Sequence, residues 1–489
     1  MPKAEAIFIY TPYIHKKMSL CQHHNICGLN TLEGEIYCIL HSQNPEKERQ
    51  EFCESLKRHR EEKGENFKYI IFPDTIDIID QEITEEVCFD FCTFIEEAGF
   101  ENISFLKSVS FRYAVFMKPG VFMDIKFMDE VNFYRCTFHA EAVFASVRSK
   151  KNIDFSGAVF TGETFFSSTI FHEGTNFNST KFKADTIFED LIFVQGCSFY
   201  ESSFHGSVSF VHLIFSPTHA SFFTESIFRD RVLFAGQEAS DFDKEEYTDN
   251  DDWIPTGPIF KDCTIDFSNV QFDKPQQVTF RNADFSRCGF LSIDMTQIKF
   301  ISVNWPRYRK RVLVWDEKLY LVGRIQSVKI GDTTNVYYTL EALYRSLKLN
   351  RENNRDFDLA GDFHIREKEM QRLNPATRFS KKVLLSLYRS VSMYSEYILR
   401  PLIGLALLTL IMVPGYLWMG IAENGQYNMH ICDASSWNDI LSFSLRTSLF
   451  LRPADYTPLG NSRYLYAIHS FLGPIFIGLA GLALRQRMR

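Results

Sequence analysis

The sequence predicts a mainly β-solenoid protein that continues into a helical linker and two membrane-spanning helices. Three observations predict it. A Phe-rich ladder repeats every five or six residues through the first 300 positions. Near residue 305 the apolar period changes to 3.6. Two apolar stretches without Lys, Arg, Asp or Glu then follow, at 401–422 and 464–484. Phe accounts for 48 of the 489 residues, yet the hydrophobic (45%) and charged (23%) fractions are those of a folded protein. A net charge of −8 offers no overall basic field to nucleic acid. The start, MPKAEAIFIYTPYIHKK, lacks the basic stretch and apolar core of a secretory signal. Eleven scattered Cys, an odd number, argue for a reducing cytoplasmic setting over residues 1–400 rather than a disulfide framework.

Residues 1–64 form the first segment. Cys21, Cys27, Cys38 and His41 make a C-x5-C-x10-C-x2-H pattern. Three thiolates and an imidazole suit a closed, tetrahedral, structural zinc site. His23 and His24 are alternative ligands. PEKERQEFCESLKRHREEKG (45–64) predicts a polar helix leading into the ladder.

The ladder segment spans 65–305. From Phe67 to Phe215, steps of 5 and 6 alternate through 28 consecutive positions, and only Ser149 among them is not a large apolar residue. The series slips by two, resumes at Phe223, Phe228 and Phe234, and after an insert ends in fives up to Phe300. Two residues before the centres lies a smaller class: Ile153, Ala158, Thr164, Thr169, Thr175, Thr180, Thr186, Cys197 and Ser202. Neither the strand period of two nor the helix period of 3.6 gives this pattern. A chain that turns in on itself every five or six residues does. Its large and small residues fill the inside, and stacked coils bury a continuous core.

IDFSGAVFTG and the rest of the ladder resemble the pentapeptide-repeat proteins. That resemblance implies a right-handed quadrilateral β-helix, with a small residue two before each central Leu or Phe. This chain departs from the family pattern in its 11-residue double step, which gives about 22 residues per coil. The front C-x2-H pair, with Gly28 and Gly34, resembles a small zinc module that precedes the repeats in some members.

The insert, 235–259, carries Asp241, Asp243, Glu245, Glu246, Asp249, Asp251 and Asp252. It lacks the ligand spacing of an EF-hand, so a solvated loop is expected. Residues 306–396 form a linker of amphipathic helices, in which His364 and Glu367 stand three apart as a surface pair. This run resembles a segment that follows the β-helix in membrane-linked members.

Residues 397–489 form the membrane segment. Each apolar stretch is long enough to cross a bilayer. Lys381, Lys382, Arg389, Arg400 and the final RQRMR flank the spans, which places both termini in the cytoplasm and the protein in the inner membrane. Between the spans, 437–456 suggests a short helix and a re-entrant loop. Alternatively, it is an outward loop with a helix on the membrane surface. FSLRTSLFL resembles the pore helix of potassium-channel-like proteins but lacks the TVGYG filter, and Arg446, Thr447, Ser448, Arg452 and Pro453 are the pore positions.

No phosphate-binding Gly loop, nucleophile elbow or H-E-x-x-H motif occurs, so no enzyme is expected. The first functional expectation is a bacterial membrane protein whose cytoplasmic β-helix senses or binds a partner and gates an oligomeric pore. The channel resemblance suggests four copies, and the architecture a role in stress or phage defence. The second is a membrane-anchored scaffold whose β-helix outer face binds a protein. A third, a DNA mimic that binds topoisomerase, conflicts with the mixed charge of the outer face. Apart from the zinc, no cofactor is implied.

Overall fold

The computed structural model describes residues 19–44, 46–237, 257–319, 333–423, 434–451 and 456–487. The chain forms two compact units: Met1–Arg287 with Lys299–Asn304, and Cys288–Ile298 with Trp305–Arg489.

The first unit is the β-solenoid. Its strands are short, mostly two to four residues, and each pairs in parallel with a strand one coil away. Val131 pairs with Ile153, Phe138 with Phe160 and Phe144 with Phe166, so one coil takes 22 residues. The alternation of steps has a backbone cause. A residue with positive φ recurs at Tyr69, Asp80, Phe91, Asn102, Tyr113, Asp124, Arg135 and Ser146, and onward at the same spacing of 11. It lies two residues after every second ladder position, so a tight five-residue corner alternates with a wider six-residue one.

The inward Phe side chains stack ring on ring between coils. Phe133 lies 4.9 Å from Phe155 and Phe155 lies 5.0 Å from Phe177, with interplanar angles of 7° and 2°. Neighbouring columns meet edge to face, as Phe155 and Phe166 do at 86°. This offset arrangement suits the ring quadrupole. The smaller inward class is also buried, and its hydroxyls serve the backbone. Thr180 Oγ1 donates to Phe155 O (3.0 Å), and Ser202 Oγ donates to Phe177 O (2.6 Å).

Irregularities are confined to corners. After the two-residue slip, Phe199 stacks on Phe223 at 4.9 Å. Across the acidic insert, Phe223 stacks on Phe267 at 5.0 Å. The insert leaves and rejoins where Gln237 N donates to Gly257 O (3.0 Å). Gly236 is required there, because a Cβ would lie 2.3 Å from Ile259 N and 2.4 Å from Asn282 O. The seven acidic positions of the insert lie outside the described residues. The ladder expectation fails at Ile78 and Ile83. Both are only half-buried, because strand Ile76–Ile83 pairs with the next coil alone. Helix α1 (His24–Cys27) and helix α2 (Arg49–Lys63) precede the coils, and Phe52 of α2 packs edge-on against Phe72 at 6.2 Å.

The second unit is helical: α3 (Trp315–Glu317), α4 (Thr333–Asn353), α5 (Phe357–Leu373), α6 (Phe379–Ser392), α7 (Leu399–Met419), α8 (Ala434–Ser448) and α9 (Ser462–Arg487). Asn350 of α4 binds residues 288–298, its Nδ2 donating to Met295 O (2.8 Å) and Ile298 O (2.7 Å). Glu367 is buried, not on the surface as expected. Burial alone would raise its pKa, but the His364 hydrogen bond and the Lys368 and Lys348 charges outweigh that and hold it at about 2. Two helices, Leu399–Met419 and Ser462–Arg485, are long and apolar enough to cross a membrane.

Phe155→Ala removes a ring stacked on both sides, and we expect it to destabilise the solenoid by about 3–5 kcal/mol. Met128→Ala, at a 44% exposed position, should stay within about 0.5 kcal/mol. Denaturant unfolding of the full chain, followed by the circular dichroism of the β-structure, distinguishes the two.

Candidate functional site

Two clusters of chemically capable side chains stand out, one in each unit. The first is Cys21, Cys27, Cys38 and His41, all buried, with ligand atoms within 4.8 Å of one another. The Cys38 and Cys27 sulfurs are 3.7 Å apart. That is close to the ~3.8 Å edge of a tetrahedron with 2.3 Å metal–sulfur bonds. His41 presents Nδ1, which lies 3.2 Å from Cys38 Sγ and 3.5 Å from Cys21 Sγ. Local backbone builds the cage. His23 N donates to Cys21 Sγ (3.4 Å) and Leu29 N to Cys27 Sγ (3.5 Å), so each of these sulfurs accepts from the residue two ahead. Gly28, with φ of 67°, turns the chain just after Cys27. Without a metal, Cys27 and Cys38 share a hydrogen bond that pulls the Cys27 thiol down to about 3 and pushes Cys38 up. Thiolate therefore forms readily in the cage, as a metal ligand requires.

The alternative ligands stand outside this group. His23 stacks on Tyr69 at 4.3 Å, and His24 Nδ1 lies 3.1 Å from Leu29 O. Lys47 ties the cluster's loop to the first coil. Its ammonium donates to Leu40 O (3.4 Å), Ser42 O (3.4 Å) and Ile71 O (2.7 Å), and burial pushes its pKa down to about 8.

The second cluster lies among α7, α8 and α9. Ser448 Oγ is 2.7 Å from both Thr409 Oγ1 and His469 Nε2, and Tyr416 OH is 3.1 Å from His469 Nδ1. Ser444 Oγ donates to Thr409 O (2.8 Å). Met412, Val413, Ile440 and Phe443 pack around this polar core. Of the pore positions, Thr447 and Ser448 are buried inside this packing and Arg446 is exposed. Arg452 and Pro453 lie outside the described residues. The sequence reading missed Thr409, Tyr416 and Ser444. Their signal was polar side chains inside or beside apolar spans, which are costly unless paired. Close approach of α8 to α9 needs Gly473, where a Cβ would lie 2.3 Å from Ser448 O.

The family model for pentapeptide repeats (9 copies) matches residues 122–170 and 155–203. No curated protein and no solved structure matches the chain.

Gly473→Val should unseat α8 and destabilise the helical unit in detergent by about 1–3 kcal/mol or more. Gly478→Val, where a Cβ meets nothing within 4 Å, should leave its thermal unfolding nearly unchanged.

Proposed function

We propose, on the premise that this chain is a pentapeptide-repeat protein, that it is a membrane-anchored interaction scaffold whose solenoid binds a protein partner. One observation carries this reading. The polar side chains of the α7–α8–α9 bundle are turned inward within a single chain, while its exposed surface is apolar. Leu402, Ile403, Leu410, Trp418, Phe471 and Ile475 are among those exposed residues. Such a surface suits lipid, and the buried pairing of Ser448 suits an anchor better than a water-filled lumen. The partner surface is the outer row Tyr69, Phe91 and Tyr113. Its rings stack at 4.8 Å, with Lys68 over Tyr69 and Phe91. Basic residues on both sides of the spans, Arg400 and Arg485 among them, place both termini in the cytoplasm.

A second reading, the gated oligomeric pore, is supported by one feature: the short helix α8 is held against both spans, the layout of a two-span channel. It requires several copies. Ion flux through liposomes containing the purified full chain decides between the readings. The scaffold expects none. Flux that depends on a closed oligomer would overturn it. The scaffold also expects that replacing 397–489 with an unrelated anchor preserves partner binding, and loss of binding in that chimera would equally count against it.

At the front, Cys21, Cys27, Cys38 and His41 hold one structural zinc ion, which leaves no open coordination position for catalysis. Metal analysis of the full chain should find one zinc per chain. Cys38→Ser should lower that content at least tenfold and reduce the stability of the first coil. A metal-free chain of unchanged stability would overturn the assignment.

A further inference from the structure

The fourth inward column of the solenoid has one defect. Phe105 stacks on Phe127 at 5.4 Å, and Phe171 stacks on Phe193 at 5.2 Å, but the position between is Ser149. The outer surface of that same strand also departs from its neighbours. Each strand of this face presents one outward residue before its centre and one after. On the flanking coils these are apolar or small: Ser104 and Leu106, Ile192 and Val194, Ile214 and Ser216. Around Ser149 they are basic. Lys126 and Arg148 are register partners on adjacent strands. Lys150 N donates to Phe127 O (2.8 Å) and His172 N to Ser149 O (2.9 Å), so Lys150 and His172 also sit on successive rungs.

These four side chains, with Met128 and Ile170, line a cleft of about 310 Å³. No carboxylate is among the lining residues. Lys150 Nζ stands 3.3 Å from His172 Nε2, which brings two basic groups to hydrogen-bond distance at its wall. The nearby Lys151 is taken up by Glu173 at 2.9 Å and stands outside the cleft. Ser149 is the positioning residue. Its Oγ donates to Lys151 O (2.7 Å) and ties down the corner that carries Arg148 and Lys150.

We propose that this cleft binds a ligand bearing two or more linked phosphates. Three permanent cations and an imidazole face it from two rows and two rungs. That exceeds the roughly −2 charge of a single phosphate and matches a diphosphate better. Arg148 supplies a planar fork for phosphate oxygens, and the two Lys supply point charges. Met128 and Ile170 leave an apolar wall for the rest of the ligand.

The probe is inorganic pyrophosphate, titrated calorimetrically into the full chain in detergent, with acetate as the control anion. Saturable binding of pyrophosphate but not acetate is expected. Arg148→Gln and Lys150→Gln should each weaken it roughly tenfold or more, the effect of one charged hydrogen bond. Lys151→Gln should leave it within about twofold, and the unfolding curves of all three variants check that they are folded. Repeating the titration in nanodiscs separates the sources of phosphate. Equal affinity in neutral and anionic lipid supports a soluble ligand. Competition by anionic lipid alone supports a headgroup with the same phosphate chemistry. Absence of saturable binding, or unchanged affinity in both cleft variants, overturns the proposal. So does binding of a single-stranded oligonucleotide that pyrophosphate fails to displace.

Discussion

The distance between one coil and the next governs this protein. Parallel strands sit about 4.8 Å apart, and aromatic rings stack favourably at nearly the same separation. Here the two coincide, with like rings 4.7–5.0 Å apart along the best-ordered columns. Backbone pairing and side-chain stacking therefore impose one register. A coil that returned a residue early or late would lose both at once. This is why departures from 22 residues are placed at corners, and why the chain comes back to its column after the slip and after the insert.

A stack with this rule needs ends, because its first and last coils have a neighbour on one side only. At the front, α2, Phe52 and the loop carrying Cys21, Cys27, Cys38 and His41 meet the first coil, and Lys47 bonds both sides of the join. The cluster is small and has few apolar residues of its own, so a metal supplies cohesion that packing does not. The cover is partial. Strand Ile76–Ile83 keeps its outer edge, and its residues are polar enough (Asp77, Asp80, Gln81, Glu82) to discourage pairing with another chain.

The solenoid was legible because a single residue type marks its register; 27 of 28 apolar positions leave little room for another reading. The Cys/His cluster was legible from ligand type and spacing, although the choice among His23, His24 and His41 required the fold. The corners were not legible. Their left-handed residues include Tyr69, Phe91 and Arg135, where glycine or asparagine would have given the signal. Here the pairing of adjacent coils imposes the conformation against local preference. The polar core of the helical unit was hidden for a different reason. Thr409, Ser448 and His469 are far apart in sequence, and only the packing of three helices brings them together.

The closure between Gln237 and Gly257 shows that coils are joined to their neighbours and to little else. Mechanically, such an object behaves as a spool. Tension on a free end loads only the outermost coil, which pays out 22 residues, roughly 70–80 Å of extended chain, while the coil beneath stays wound. Length would be released in equal increments, so the chain would yield to force by counted steps rather than by a single rupture.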